Sequence, residues 1–339
     1  MALNLLLLGL LINIFVFTAD AQSVGVCYGT IANNLPSPRQ VVSLYIRNRI
    51  TRMRIYAPRS DILEALRGTN IELILDVPNV SLENLTNPNL ATDWVRNNVV
   101  NYPDVSFRYI SVGNEVDPNN DVTRQFVRFV LPAMINVQNA LQAAGRANQI
   151  KVSTATYTGL LKDSYPPSIG VFHVNVADFI RPIITFLVKN GSPMLANIYP
   201  YFAHIGPPAS PDLPFALFTR TTPAYKDGDR PYFNLFDAMY DAHYAAQSRL
   251  GGADVKIVVS ESGWPSAGHN SATPGNAGTY YRNLISHVKS SRGTPVRPGK
   301  PIETYLFAMF DENDKTGEPT EKNFGVFTPG QVSKYQLSF

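Results

Sequence analysis

Cysteine is almost absent. Cys27 is the single thiol in 339 residues, so no disulfide can form within the chain and stability must come from core burial. Its setting, Val24-Gly25-Val26-Cys27-Tyr28-Gly29, suits a small buried residue rather than a nucleophile. Charge is sparse as well. Charged residues make up 16% of the chain and the net charge is +3, or +4 once Asp20 leaves with a leader; no basic run interleaved with aromatics points to nucleic acid. The five histidines, His173, His204, His243, His269 and His287, lack metal-ligand spacing, and no metal or cofactor is expected. Where a dinucleotide fold would carry G-x-G-x-x-G, the chain reads Tyr28-Gly29-Thr30-Ile31-Ala32-Asn33. Long apolar runs are also missing. The unbroken stretch 5–12, inside a mostly apolar 1–17, falls short of the ~20 residues that span a bilayer. With Ala19-Asp20-Ala21 behind it, 1–21 reads as a secretory signal peptide, although no Lys or Arg precedes it. The mature chain is then 22–339, starting at a Gln22 able to cyclise to pyroglutamate, secreted and with no membrane partner.

What is present is a repeated unit. Short apolar, β-rich runs at 24–29, 52–57, 71–78, 107–115, 150–157, 195–202, 255–261 and 302–312 alternate with helical spacing at 38–48, 60–67, 92–101, 121–144, 177–190, 232–250 and 274–291. In 121–144, Val122, Phe126, Phe129, Val130, Ala133, Val137 and Leu141 fall on one face, with Pro132 a kink or break. Eight such alternations without a linker predict one α/β domain, a (β/α)8 TIM barrel, with a small proline-rich excursion at 203–231 between strands six and seven. Hydrophobic residues, 45% of the chain, suffice for its core. Three sequons, at Asn79, Asn84 and Asn190, are candidate glycan sites, the last weakened by Pro193.

Two of the predicted strands run through small residues into a glutamate: Val255-Lys256-Ile257-Val258-Val259-Ser260-Glu261 and Phe107-Arg108-Tyr109-Ile110-Ser111-Val112-Gly113-Asn114-Glu115. Keeping an isolated Glu ionised at such a place costs several kcal/mol unless a cleft, a partner or a reaction uses it. A pair of them is what glycoside hydrolysis needs. Barrel chemistry lies at the C-terminal strand ends, and there Tyr28, Tyr56, Asp76, Asn114, Glu115, Tyr157, Tyr199, Glu261 and Glu312 gather aromatics and carboxylates on one rim. Aromatic faces stack on sugar C–H faces, while carboxylates and amides bind hydroxyls. Each aromatic singly fits a core position as well as a sugar contact.

The motifs Val24-Gly25-Val26-Cys27-Tyr28-Gly29, Val112-Gly113-Asn114-Glu115, Ala196-Asn197-Ile198-Tyr199-Pro200-Tyr201-Phe202, Val259-Ser260-Glu261-Ser262-Gly263-Trp264-Pro265, Phe310-Asp311-Glu312-Asn313 and Glu321-Lys322-Asn323-Phe324-Gly325-Val326-Phe327 resemble those of plant endo-1,3-β-glucanases of glycoside hydrolase family 17. The likeness runs from about residue 23 to Phe339. The ending Tyr335-Gln336-Leu337-Ser338-Phe339 is similar to the secreted, pathogenesis-related group, without a vacuolar extension, carbohydrate-binding module or GPI-type tail.

The resemblance implies a retaining barrel enzyme with Glu115 as acid/base and Glu261 as nucleophile. It implies Glu312, Lys315 and Glu321 beside the pair and Asn114 as the amide that meets the sugar 2-hydroxyl. Tyr28, Tyr56, Tyr199 and Phe324, in the quoted motifs and strand ends, are candidate substrate contacts. Ala57 stands where relatives often carry an acidic residue. The expected partner is β-1,3-glucan, such as callose or fungal wall glucan, met by a monomer in the apoplast or wall with a defence role. Two other readings are open: a 1,3;1,4-β-glucanase, and a non-catalytic glucan-binding defence protein.

Overall fold

Short β-branched and apolar runs become strands β1 (Gly25–Cys27), β2 (Arg52–Ile55), β3 (Glu72–Val77), β4 (Phe107–Asn114), β5 (Lys151–Tyr157), β6 (Met194–Asn197), β7 (Ile257–Ser262) and β8 (Thr304–Leu306) in a computed structural model that describes residues 24–206, 211–290 and 292–339. The signal-peptide expectation for 1–21, with Gln22 behind it, lies outside the described residues. All eight strands run parallel in sequence order, and β8 pairs with β1 to close the ring. This is the predicted barrel. Its strands read as apolar runs because helices cover their outer faces. At the closing seam Gly25 lies opposite Tyr305, whose ring is 2.3 Å from where a Cβ would sit, so only glycine fits.

The helices follow their sequence signals. Pro38–Arg47 starts with Pro after Ser37, whose backbone N–H donates to Gln40, while Leu235–Ser248 and Pro274–Lys289 are capped by Asn234 and Thr273. Pro132 neither breaks nor ends its helix, which spans Val127–Ala143. That helix starts later than 121, and Val122, expected on its buried face, lies outside it and is 69% exposed. The expected helix 92–101 is Pro88–Val95 continued by a wider turn, Arg96–Val100. Strand six was expected to reach 202 but ends at Asn197, because Pro200, pre-set for a first helical turn, opens Pro200–Ile205. Strand eight covers only Thr304–Leu306 of the expected 302–312. The 203–231 excursion is present, with a short helix Leu213–Ala216 and the hairpin Tyr225–Asp227/Arg230–Tyr232. A second hairpin, Leu161–Asp163/Val171–Phe172, was not anticipated.

Side chains inside the ring are polar at both ends. Along β2 the alternation of strand faces turns both Arg52 and Arg54 into the ring, Arg52 nearer the base, where it meets Glu72, and Arg54 nearer the rim, where it reaches residues of β6 and β7. No helix among the described residues is long and apolar enough to cross a membrane.

Candidate active site

The rim is built around Arg54, which is fully buried. An unpaired guanidinium there would be prohibitive, so its donors are spent on every side. Nε and Nη2 donate to Asp76 at 3.2 and 2.7 Å, Nη2 also to Asn114 Oδ1 at 2.8 Å, and Nη1 to Asn197 Oδ1 at 3.2 Å and Glu261 Oε1 at 2.9 Å. Glu261, in β7 and 6% exposed, also accepts from Tyr56 at 2.8 Å and from Tyr199 on its other oxygen at 2.6 Å. Both carboxylate oxygens are thereby fixed in direction.

Glu115 follows the last residue of β4 with φ of 50°, in the left-handed region, and its backbone N–H donates to Ala155 on β5. Its Oε1 accepts from Asn197 Nδ2 at 2.7 Å; the same nitrogen donates to Asn114 Oδ1 at 3.2 Å, and Asn197 Oδ1 accepts from Ser260 at 2.7 Å. Asn197, 1% exposed, therefore bridges the two carboxylates through Arg54. Burial, and after it the charge on Glu261, raises Glu115 from 4.5 to about 7, against the pull of Asn197, Arg54 and Lys315. Asp76 is likewise pushed up to about 6 by burial, despite Arg54.

One cleft of about 1320 Å³ takes in Glu115, Glu261, Asn114, Tyr56, Tyr199, Glu312, Lys315, Glu321 and Phe324. It exceeds the ~300–1,000 Å³ of ordinary small-molecule pockets. Glu312 accepts from the Ile31 N–H at 2.9 Å and is pushed up mainly by burial. Lys315 pairs with Glu321 at 2.9 Å and lies 4.6 Å over the Phe307 ring; burial pulls its pKa down, but Glu321, Glu312 and Glu261 together outweigh it and the net shift is upward. An aromatic wall of Tyr199, Phe202, Phe307 and Phe324 follows, with Phe324 5.5 to 6.1 Å from the other three ring centres. Tyr28 is placed elsewhere: it is buried, edge-on to Phe310, and not among the residues lining the cleft.

Arg54, buried beneath the cleft, and Asn197 and Phe307, on its lining, were given no role beforehand, whereas Phe202 belongs to the strand-end run Tyr199-Pro200-Tyr201-Phe202 expected on the rim. Arg54 had a signal, a charge within a strand otherwise reading as buried. Asn197 had a weaker one, the single amide in Leu195-Ala196-Asn197-Ile198. Among the described residues no group of three or more His, Cys, Asp or Glu is arranged to hold a metal. His243, buried beside Thr156, is lowered to about 4 by burial, and His287 pairs with Asp237.

The model of glycosyl hydrolases family 17 matches residues 24–339. The chain is 59% identical over 336 residues to a glucan endo-1,3-beta-glucosidase of Vitis vinifera, covering 98% of this chain and 96% of that one. It is 55% identical over 340 residues to the acidic isoform GI9 of the same activity from Nicotiana tabacum, covering 100% and 97%. Among solved structures, a plant beta-glucan endohydrolase superposes with a TM-score of 0.88 at 45% identity, covering 93% of this chain and 100% of that one. CJP38, a beta-1,3-glucanase and allergen of Cryptomeria japonica pollen, gives 0.91 at 45%, covering 94% and 99%.

Proposed function

This chain belongs to glycosyl hydrolases family 17, and we propose that it is a glucan endo-1,3-β-glucosidase that cuts internal linkages with retention of anomeric configuration. The observation that carries the mechanism is the unequal setting of two carboxyls in one cleft. Glu115 is held up to about 7 and can arrive protonated, while Glu261 is aimed by three donors.

In the first step a Glu261 oxygen attacks the anomeric carbon as the glycosidic bond breaks, and the Glu115 proton passes to the leaving oxygen. Asn197 occupies Glu115 Oε1, leaving Oε2 to carry that proton. The ester formed on Glu261 has lost the negative charge that helped hold Glu115 up, so the pKa of Glu115 falls and the carboxylate left by the first step stays ionised and available as base. It takes a proton from water, whose oxygen attacks the anomeric carbon and releases Glu261. Retention requires the carboxyl groups ~5–5.5 Å apart, too close to hold a water between them. Asn114, its oxygen taken by Arg54 and Asn197, offers Nδ2 to the 2-hydroxyl. The aromatic wall supplies faces for sugar stacking, and the Glu312–Lys315–Glu321 group supplies hydroxyl partners. The substrate is β-1,3-glucan such as callose or fungal wall glucan, and we read the protein as a secreted defence monomer that leaves its leader before Gln22.

Laminarin digestion, followed by product sizing and by NMR of the first anomer released, tests this. Mixed oligomers early, with the β-anomer first, are expected. Glucose alone, or the α-anomer first, overturns it, and attack on barley-type mixed-linkage glucan in preference to laminarin favours the 1,3;1,4 activity.

A further inference from the structure

Asn79 opens the turn Asn79–Ser81 directly after β3 and Pro78, and its carboxamide faces the backbone of Asn114. Asn79 Oδ1 accepts from the Asn114 N–H at 2.9 Å and Asn79 Nδ2 donates to the Asn114 carbonyl at 2.9 Å. Both polar groups of one extended residue are thus paired by one side chain, at the point where β4 leaves its register with β5. On either side the chain has positive φ, 83° at Gly113 and 50° at Glu115. The first is glycine, and a Cβ there would come within 3.2 Å of Asn79 Oδ1. The second is a glutamate, for which a left-handed backbone is unfavourable and persists only where its surroundings over-determine it.

We propose that Asn79 is a positioning residue: its carboxamide clamps the Asn114 peptide so that Glu115 leaves the strand in its left-handed turn and aims its carboxyl into the cleft. The clamp also removes Asn79 from the set of glycan acceptors. The side-by-side pair uses the N–H on the same side of the amide as Oδ1, which is the position a sugar occupies in a glycosylated asparagine. Asn79-Val80-Ser81 is therefore a sequon that the active protein leaves bare, in contrast to the exposed Asn84. The inference rests on reading Glu115 as the acid/base.

Asn79→Ala is expected to lower kcat about 10²-fold while KM stays within about threefold, the cost of a misplaced catalytic group in an otherwise intact cleft. The alkaline limb of kcat/KM should move to lower pH, because a Glu115 no longer fixed beside Glu261 relaxes toward its ordinary range. Ser81→Ala, which destroys the sequon and keeps the clamp, should match the wild type. Peptide mapping of wild-type protein from a glycosylating secretory host should find Asn79 unmodified, and this needs no folded variant. An Asn79→Ala protein with wild-type kcat and pH profile, or a glycan on Asn79 in fully active enzyme, overturns the clamp. Glu115→Gln run in parallel separates the two ideas: if it keeps full activity the acid/base assignment fails, while the glycan map still judges the clamp.

Discussion

The two ends of the barrel interior use the same residue types to opposite effect. At the base, Glu303 is gripped through both oxygens by Arg108 at 2.9 Å and by Lys256 at 3.0 Å, with Arg52 close by and tied to Glu72. Burial alone would raise it, but these cations together bring it down to about 2. At the rim one buried guanidinium, Arg54, serves Asp76 and Glu261 and also acts on Glu115, and two of these carboxyls titrate high. The ratio of cations to carboxylates, rather than burial, separates a brace from a reactive site. The base is arranged for stability, and the rim gives up stability to keep a proton available near neutral pH.

Neutralising one carboxyl at each end should therefore act in opposite directions. The largest change is expected for Glu115→Gln, with kcat falling about 10²–10⁴-fold as the proposed acid/base is lost. Its melting temperature should nevertheless exceed that of the wild type at pH 8. A carboxyl raised from 4.5 to about 7 on folding costs stability as pH climbs through that window, and the glutamine does not. At pH 4 the two should melt alike. The wild-type kcat/KM should fall off on the alkaline side near 7.

Glu303→Gln comes next, a loss of about 3 kcal/mol in denaturant unfolding at pH 7, at the low end for a broken buried pair because Arg108 and Lys256 can turn to water. Since Glu303 falls from 4.5 to about 2 on folding, the deficit should shrink as pH drops through that range. The folded fraction should keep kcat within about twofold, the sites being independent. Should Glu303→Gln instead stabilise, the charge-ratio account fails. Smallest is Tyr199→Phe, which removes the 2.6 Å bond to Glu261 and leaves the ring on the aromatic wall. A bond to a charged group contributes about 1.5–3 kcal/mol, so kcat should drop roughly tenfold to a hundredfold. An unchanged kcat would make the tyrosine part of the wall alone.

The barrel was legible because a strand covered by helices writes a continuous apolar run, and each of the eight strands overlaps its predicted window, β6 starting one residue before 195 and β7 ending one residue past 261. The ends were less so. Ile198-Tyr199-Pro200-Tyr201-Phe202 has the composition of a strand, and only the Pro at a first helical position marks the change of element. The carboxylates at 115 and 261 stood out because charge is costly at such places. Their supports did not: Arg54 and Asn197 matter through bonds reaching across the ring, and strand periodicity says which face a residue takes but not what it meets. Tyr28 shows the converse, a strand-end aromatic packed on Phe310.

The seam where Gly25 meets Tyr305 has a consequence for how the molecule comes into being. Its opening strand is flanked on one side by a segment translated almost three hundred residues later, so a ribosome-bound chain carries an unfinished cylinder with an exposed flank. Closing the cylinder therefore waits for the last strand, and a clone shortened before it should yield neither a smaller enzyme nor a partial one.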